Sequence, residues 1–185
     1  AVTTTAGLDD LFARIHRIVG GLMEARNLYI ALLDEATGSL SFPYFRDEID
    51  AEPPDGPVPA GRGLTGYVLR TGEPLLASPE VFDDLVARGE VAPIGAASIA
   101  WLGVPLRAGD RTFGVLAVQS YAGNVRYGEE DQALLGFVSS QVALAIERRR
   151  AEEALRLSEM RHRAVLEPSP TPFSASAARG ATPRS

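Results

Sequence analysis

The sequence predicts an α+β domain in which two β-hairpins are flanked by a helix near the N-terminus and a long helix near the C-terminus. Three observations predict this class: apolar residues at helical spacing over 8–25, apolar runs broken by glycine-containing turns over 28–45 and 99–119, and a proline-free stretch from 129 onward. The 185 residues, 45% of them hydrophobic, suffice for one buried core with an appendage and are too few for two ordinary domains.

The first element is an amphipathic helix over 8–25. Its apolar residues recur at the i, i+3, i+4, i+7 spacing that places them on one buried face. Asp9 and Asp10 lie in the first turn, where the helix dipole favours acidic side chains.

Two hairpins form the predicted sheet. In the first, strands 28–33 and 39–45 are joined by a turn that contains Gly38, and every residue of 28–33 is apolar, so both of its faces must be covered. In the second, strands 99–106 and 112–119 are joined through Gly109-Asp110.

The stretch between the hairpins is irregular. Residues 46–60 are rich in acids and prolines and are predicted to form no regular element. Short helices are expected over 64–70 and 81–88, with a short strand at 74–77. Pro105 is unusual in a central strand and predicts a strand end or a bulge there.

The last element is a helix predicted from Glu129 to Leu166, about 57 Å long, with Gly128 as its N-cap. From 147 onward it is mostly charged, with a weak coiled-coil seam. It is either a solvated extension or one partner of a paired helix in a dimer. The final residues, 168–185, are of low complexity and are expected to be disordered.

The composition removes several function classes. The chain has a net charge of −6, no cysteine and two histidines, and its 18 basic residues are all arginine. The absent residues exclude disulfides, bilin thioethers, iron–sulfur clusters, thiolate metal sites, lysine Schiff bases and a P-loop. The acidic balance argues against nucleic acid as a partner. Without a signal peptide or an apolar run long enough for a membrane span, a cytoplasmic location is expected.

Four segments together resemble the GAF domain family: LYIALLDEATGSL at 28–40, GRGLTGYVLRTGEPLLA at 61–77, SIAWLGVPLRAGDRTFGVLAVQS at 98–120 and YGEEDQALLGFVSSQVALAIERRRAEEAL at 127–155. The last two are similar to GAF domains of bacterial sensor histidine kinases and PAS/GAF signalling proteins. The resemblance implies a six-stranded antiparallel sheet with the N- and C-terminal helices on one face. Short helices and loops would cover the other face, where the family binds its ligands.

The resemblance also implies a domain organisation. A GAF domain would occupy 8–147 and a signalling linker helix 148–167, while 168–185 is similar to the truncated start of a PAS segment. Because the chain also begins without methionine, it is expected to be a fragment of a longer receptor. The implied function is non-catalytic: the domain binds a small molecule, dimerises and relays a signal to a downstream PAS or kinase domain. The alternative is a ligand-free structural dimerisation module.

Two sets of residues follow from this interpretation. A loosely packed cover over a doubly apolar sheet leaves room for a ligand, although each residue could equally serve core packing. The candidate pocket residues are Phe42, Tyr44, Leu64, Tyr67, Val68, Leu75, Phe82, Ile99, Trp101 and Leu116. The residues expected on the dimer and signalling helices are Leu11, Ile15, Leu22, Val138, Val142, Ala151, Leu155 and Val165.

Each of the other candidate sites also has a purely structural interpretation. The glycine-rich segment 61–66 either binds an anion or is a structural turn, and the turn is the simpler interpretation. The acidic loop 47–55 is a solvated loop rather than a cation site, because it lacks ordered ligand spacing. His16 is interpreted as a packed histidine, and His162 lacks the residues of a phospho-acceptor box.

Three activities of the resembling family lose the residues they require. Bilin binding and free-methionine-sulfoxide reduction use cysteines, and cyclic-nucleotide binding uses an Asn-Lys pair; this sequence has neither cysteine nor lysine. No cofactor and no metal site are identified from the sequence.

Overall fold

The computed structural model describes residues 5–50, 52–53, 56, 58–93 and 98–166. Contacts divide the chain into two units, Ala1–Arg148 and Arg149–Ser185. The predicted tail 168–185 lies outside the described residues. The elements in chain order are α1 Thr5–Gly20, β1 Asn27–Asp34, β2 Ser39–Arg46, β3 Val58–Pro59, α2 Leu64–Thr71, β4 Leu75–Ala77, α3 Pro79–Ala87, β5 Ala100–Ala108, β6 Arg111–Ser120 and α4 Glu129–Leu166.

The expected six-stranded antiparallel sheet is confirmed. Its strand order is β3-β2-β1-β6-β5-β4, so β1 and β6 lie at the centre and the shortest strands, β3 and β4, lie at the edges. The hairpin turns contain glycines in the left-handed region, Gly38 at φ 67° and Gly109 at φ 61°. Those positions favour glycine because a Cβ atom is strained there.

A bulge in β2 changes which side chains face which side of the sheet. Ile30 pairs with Tyr44 and Leu32 pairs with Ser41, so the single intervening residue of β1 faces two residues of β2. The alternation of side chains inverts at such a bulge. As a result Phe42 and Tyr44, two positions apart, lie on opposite faces.

One face of the sheet packs against α1 and α4. Phe12 and Val19 of α1, and Leu135 and Val142 of α4, are buried with inward-facing residues of all four long strands. Phe113 of β6 is among the largest fully buried side chains in this core. Burial of this apolar stripe, rather than intrinsic helix propensity, is what stabilises the two helices.

The other face carries a smaller core beneath α2. Its buried members include Tyr29, Val68 and Trp101, and half-buried aromatic residues of β2 pack against them. Because β1 contributes alternate residues to both cores, its first five residues are all buried. The prediction that both faces of 28–33 are covered is therefore confirmed.

Element boundaries differ from the predictions in several places. Helix α1 begins at Thr5 rather than at 8, so Asp9 and Asp10 lie beyond its first turn, and α3 begins at Pro79 rather than at 81. Helix α1 ends at Gly20 rather than at 25, because consecutive glycines at 20 and 21 disfavour helix. The segment 46–60, predicted to hold no regular element, contains β3, whose Val58 and Pro59 pair with the start of β2. An edge strand of two residues tolerates proline, which has no N–H to donate.

Pro105 lies inside β5 instead of ending it. Strand β4 begins at Leu75, which pairs with Gly103, and runs from there toward Trp101. The described sheet therefore has no strand beside Pro105 on that side. The expected irregularity follows immediately, as a register shift between Leu106 and Arg107.

The long helix matches its predicted span, Glu129–Leu166. Gly128 has no side chain with which to cap it. Instead the carboxylate of Asp131, in the first turn, accepts a hydrogen bond from the Gly128 N–H at 2.8 Å, which is half of a capping box.

Candidate functional site

A cavity of about 280 Å³ lies between the sheet and its irregular cover. Residues from all six strands line it from the sheet side, and the starts of α2 and α3 with their adjoining loops close the other side. The lining residues are Tyr29, Leu40, Phe42, Val58, Pro59, Gly61, Gly63, Leu64, Thr65, Gly66, Ala77, Ser78, Phe82, Ala92, Pro93, Ser98, Trp101 and Gln119.

A chain of three polar groups crosses the wall of this cavity. The indole Nε1–H of Trp101 donates to the Tyr29 hydroxyl at 3.0 Å. That hydroxyl lies 2.9 Å from Oγ1 of Thr65, at the start of α2. Burial raises the pKa of Tyr29 above its ordinary value, so the phenol stays protonated near neutral pH.

Aromatic rings are one component of the apolar wall, beside aliphatic residues such as Leu40 and Leu64. Tyr29 contacts Phe42 and Phe45, with ring centroids 6.0 Å apart in both pairs, and Phe42 meets Phe45 edge-on at 6.1 Å. These distances and tilts are typical of favourable aromatic pairs. The β2 bulge is what brings Phe42 to this face.

A polar cluster fixes one end of the cavity. The Gln119 side chain, which lines the cavity, donates from Nε2 to the Asp47 carboxylate at 2.6 Å and to the Tyr121 hydroxyl at 2.9 Å. The same carboxylate accepts hydrogen bonds from the backbone N–H groups of Ile49 and Asp50. The cluster therefore fastens the loop after β2 to the end of β6.

Burial, hydrogen bonds and charge in this cluster shift the pKa values of Asp47 and Tyr121. Burial alone would raise the pKa of Asp47, but the hydrogen bonds from Asp50, Gln119, Ile49 and Tyr121 outweigh it and lower the pKa. Burial and the nearby Asp47 carboxylate raise the pKa of Tyr121. Asp47 is therefore ionised and Tyr121 neutral at physiological pH.

The glycine-rich segment 61–66 forms a turn that leads directly into the first residues of α2. A Cβ atom at Gly66 would collide with the carbonyl oxygen of Gly61. The Arg70 guanidinium donates to the carbonyls of Gly61 at 3.2 Å and of Glu90 at 2.8 Å, which ties this turn to the loop after α3. Arg70 thus has a structural use here.

The structure places the predicted pocket residues in three groups. Phe42, Leu64, Phe82 and Trp101 line the cavity together. Val68 and Leu75 belong to the core on the same face, and Tyr67 lines a separate surface depression with Arg62 and Arg70. Ile99 is half-buried and is not part of the cavity wall.

The placement of Tyr44 and Leu116 on the cavity face is wrong. Both are buried in the core beneath α1 and α4. For Tyr44 the reason is the β2 bulge, which turns it toward α1; there its hydroxyl lies 2.8 Å from Nδ1 of His16. His16 also contacts the Ala25 carbonyl through Nε2 and is a packed histidine, as predicted.

Five polar residues of the wall were missing from the prediction: Tyr29, Thr65, Ser78, Ser98 and Gln119. Tyr29 carried a signal, because its hydroxyl lies in a strand with two buried faces and must find a partner there. Thr65 and Gln119 carried none. Their role depends on how α2 and the end of β6 come together in space.

The residues predicted on the dimer and signalling helices differ in their exposure to solvent. Leu11, Ile15 and Val138 are half-buried, whereas Val142 of α4 is fully buried in the core. Leu22 is 65% exposed, and Ala151 and Leu155 are exposed in the second unit. The side chain of Val165 lies outside the described residues. Exposed apolar residues that the prediction missed in the first unit include Ile18, Phe137 and Leu144.

Two searches of the described residues gave negative findings. Over 5–50, 52–53, 56, 58–93 and 98–166, no three His, Cys, Asp or Glu side chains are grouped closely enough to hold a metal ion. None of the helices within these ranges combines the length and the apolar character that crossing a membrane requires.

Comparison with known proteins gives one family. A sequence model described as "GAF domain" matches residues 5–147. No curated protein sequence matches the chain. At the level of solved structures, the fold is similar to the GAF domain from an Acinetobacter phosphoenolpyruvate-protein phosphotransferase, with a TM-score of 0.62 and 20% identity over 82% of this chain and 86% of that one.

Two further structures have the same fold. The second GAF domain of DevS from Mycobacterium smegmatis has a TM-score of 0.62 and 19% identity, covering 82% of this chain and 99% of that one. A type II free methionine-R-sulfoxide reductase from Thermoplasma acidophilum has a TM-score of 0.60 and 14% identity, covering 78% of this chain and 96% of that one.

Proposed function

Because this chain belongs to the GAF domain family, whose members are generally regulatory, we propose that it is a sensory domain. In this proposal it binds a small molecule in the cavity beneath its irregular cover and pairs with a second copy through its helices. The signal then passes through α4 to an output domain of a longer signalling protein, such as a PAS or histidine kinase domain.

The observation that carries the ligand-binding part is the composition of the cavity wall. An aromatic, mostly apolar surface surrounds a few convergent polar groups, including the Tyr29 and Thr65 hydroxyls and the Gln119 amide. This combination is typical of small-molecule sites. A larger groove of about 710 Å³ beside α4 is more open and contains no aromatic residue.

Exposed apolar side chains on the helices support the pairing part. Ile18 near the end of α1 is 62% exposed, and Phe137 and Leu144 of α4 are 68% and 66% exposed. Phe137 and Leu144 are seven residues apart and therefore lie on the same side of the helix. Small residues of α4, among them Gly136, Ser140 and Ala143, line the 710 Å³ groove together with Leu144 and would allow a second helix to approach closely.

The relay part rests on population shift. A ligand that binds one packing of the cavity wall better than another changes the populations of the two packings. We propose that the two packings differ in how α1 and α4 pair with their copies. Among the solved structures with this fold is a methyl-accepting chemotaxis protein segment, residues 122 to 287, a signalling context in keeping with this proposal.

Catalysis is not part of the proposal. The reductase with this fold has 14% identity to the chain, which is a likeness of fold alone. Free-methionine-sulfoxide reduction by proteins of this family is expected to use cysteines, and the chain contains no cysteine.

Native mass spectrometry of the protein purified from its own host tests ligand binding and pairing together. We expect a dimer that carries a bound small molecule. Ala92→Phe, at a half-buried position of the cavity wall, should abolish the bound mass. Ala87→Phe, at the exposed end of α3, should leave it in place.

Two results would contradict the proposal. A dimer without any bound mass, and with no thermal shift across a metabolite panel, would favour the ligand-free structural dimerisation module. If the protein remains a monomer at high concentration, the proposal that this chain pairs with a second copy is wrong.

A further inference from the structure

The geometry points to a particular class of ligand for the cavity: a compact, uncharged aromatic molecule of one or two rings that carries a hydrogen-bond acceptor. This inference rests on the proposed function, since it names what the proposed site would bind. Three features of the wall lead to it: a hydroxyl proton left over in the polar chain, the absence of ionised lining residues, and the size and shape of the apolar wall.

A count of protons in the polar chain leaves one donor unused. Trp101 can only donate through its indole nitrogen, so the Tyr29 oxygen accepts that hydrogen bond. The contact between Tyr29 and Thr65 uses the hydroxyl proton of one of them. The other hydroxyl proton has no further partner within the described part of the chain. Since both residues line the cavity, the wall offers a ligand one O–H donor whichever way the pair is oriented.

This donor favours an acceptor on the ligand. A hydroxyl that already accepts a hydrogen bond is a better donor, because successive hydrogen bonds polarise one another. A carbonyl or ring nitrogen aimed at Tyr29 or Thr65 would complete the chain. A hydrocarbon of the same shape would leave the proton unpaired in a poorly hydrated site, which is unfavourable.

The wall also selects against charge. None of the described residues that line the cavity is Asp, Glu, Lys, Arg or His. The carboxylate nearest in the network, Asp47, already accepts hydrogen bonds from Gln119, Tyr121 and two backbone groups. An ionised ligand would therefore lose its hydration without gaining a counter-charge, and such transfer is strongly unfavourable.

Size and shape favour a small ring system. The cavity volume of about 280 Å³ is below the usual range of sites for drug-sized ligands. The rings of Tyr29, Phe42, Phe82 and Trp101 are all parts of its wall. Aromatic walls of this kind pack best against another ring, in stacked or edge-on contact.

Four probes of matched size test the class directly. They are 2-acetylnaphthalene, 2-isopropylnaphthalene, 2-naphthoate and 2-naphthylmethylammonium: a neutral acceptor, a hydrocarbon, an anion and a cation. Calorimetric titration of the whole chain should show 2-acetylnaphthalene binding about 3- to 10-fold more tightly than the hydrocarbon. It should bind more than about 10-fold more tightly than either ion.

A set of substitutions isolates the hydroxyl donor. Tyr29→Phe with Thr65→Val removes both hydroxyls, and Trp101→Phe, added to this double variant, removes the indole N–H that loses its acceptor. The preference for the ketone over the hydrocarbon should then disappear. The matched control, Tyr67→Phe with Thr71→Val, removes a phenol and a threonine hydroxyl of α2 that do not line the cavity. It should keep the preference. If the first double variant does not fold, the ranking of the four probes on the unmodified chain decides.

The outcomes separate this inference from the function on which it rests. Equal or tighter binding of the anion or the cation would overturn the ligand class, and so would the absence of binding by all four probes. The mass-spectrometric search assumes no class of ligand. An ionised molecule found there would overturn the inference and leave the sensory function standing, whereas no molecule at all would remove both.

Discussion

The indole ring of Trp101 lies over Gly103, two residues further along β5 and on the same face of the sheet. A Cβ atom at Gly103 would come within 2.6 Å of Cζ3 and 2.8 Å of Cζ2 of that ring, closer than real Cβ contacts allow. The missing side chain lets the indole lie against the backbone of its own strand. In this position Nε1 reaches the Tyr29 hydroxyl and the ring forms part of the cavity wall.

Gly103→Ala should therefore displace the indole and destabilise the domain. We expect a loss of about 1–3 kcal/mol in the free energy of unfolding, as in other overpacked cores. Trp101 is the only tryptophan of the chain, so its emission spectrum should shift in the native state.

Urea unfolding followed by fluorescence measures both effects. Gly7→Ala is the control, because a Cβ atom at that position of α1 meets nothing within 4 Å; no loss of stability is expected there. An unchanged emission spectrum for Gly103→Ala would show that the ring does not depend on Gly103.

Tyr29→Phe should cost stability because it leaves the buried indole N–H of Trp101 without an acceptor. An unpaired buried donor costs about 1–3 kcal/mol. Chemical denaturation measures the change. Tyr67→Phe, which removes another half-buried phenol with no side-chain hydrogen bond among the described residues, should change stability by less than about 0.5 kcal/mol. Equal losses for the two variants would argue against the Trp101–Tyr29 hydrogen bond.

Asp47→Asn should destabilise the domain in a pH-dependent way. The lowered pKa of Asp47 means that the folded state holds the carboxylate ionised more strongly than the unfolded state does. Its stabilising contribution, about 1 kcal/mol for a partly exposed group, is present above about pH 4. It is lost as the pH falls through the lowered pKa. The stability curves of the parent and the variant should therefore differ at pH 7 and converge at strongly acidic pH.

The measurement is thermal or urea unfolding between pH 2 and pH 7. Asp50→Asn serves as the control, because Asp50 joins the hydrogen bonds of the cluster through its backbone N–H and not through its carboxylate. A gap between the parent and Asp47→Asn that stayed constant down to the lowest pH would contradict a role for the ionised carboxylate.

Leu144→Arg should weaken pairing and leave the fold intact. The Leu144 side chain is exposed, so arginine at this position remains solvated in the single chain, but it would place a charge in the proposed helix pair. Light scattering should show a lower mass at a given concentration, with little change in unfolding. Val142→Ala is the contrasting variant: as a fully buried residue it should cost about 2 kcal/mol of stability. If Leu144→Arg retains the mass of the parent protein, α4 does not pair through this side.

The fold was predictable from the sequence wherever one periodicity held along an element. The span of α4 and the doubly buried strand 28–33 follow from spacing and apolar content alone. Strand β3 was not predictable, since two residues ending in proline acquire strand geometry only by lying beside β2. The resemblance to a known family supplied the sixth strand that the residues by themselves did not indicate.

The cavity was predictable only in part, and the reason is local. Alternation along β2 places Phe42 and Tyr44 on one face, but the bulge between them separates their side chains. Pro43, which falls at this bulge, was a usable signal, because proline within a strand is confined to edges, strand starts and bulges. By contrast, Leu116 and Trp101 lie in paired strands with similar composition, and only the register decides which of them faces the cavity.

The central strands give the sheet a mechanical property. Along β1, Tyr29 contacts the cavity, while its covalent neighbours Leu28 and Ile30 are buried beneath the helices. Rigid, planar peptide groups join these three residues, so a displacement of the Tyr29 backbone carries its neighbours along. In the proposed relay, β1 itself would therefore connect a molecule bound against Tyr29 to the packing of α1 and α4, and no chain of side chains would be needed across the sheet.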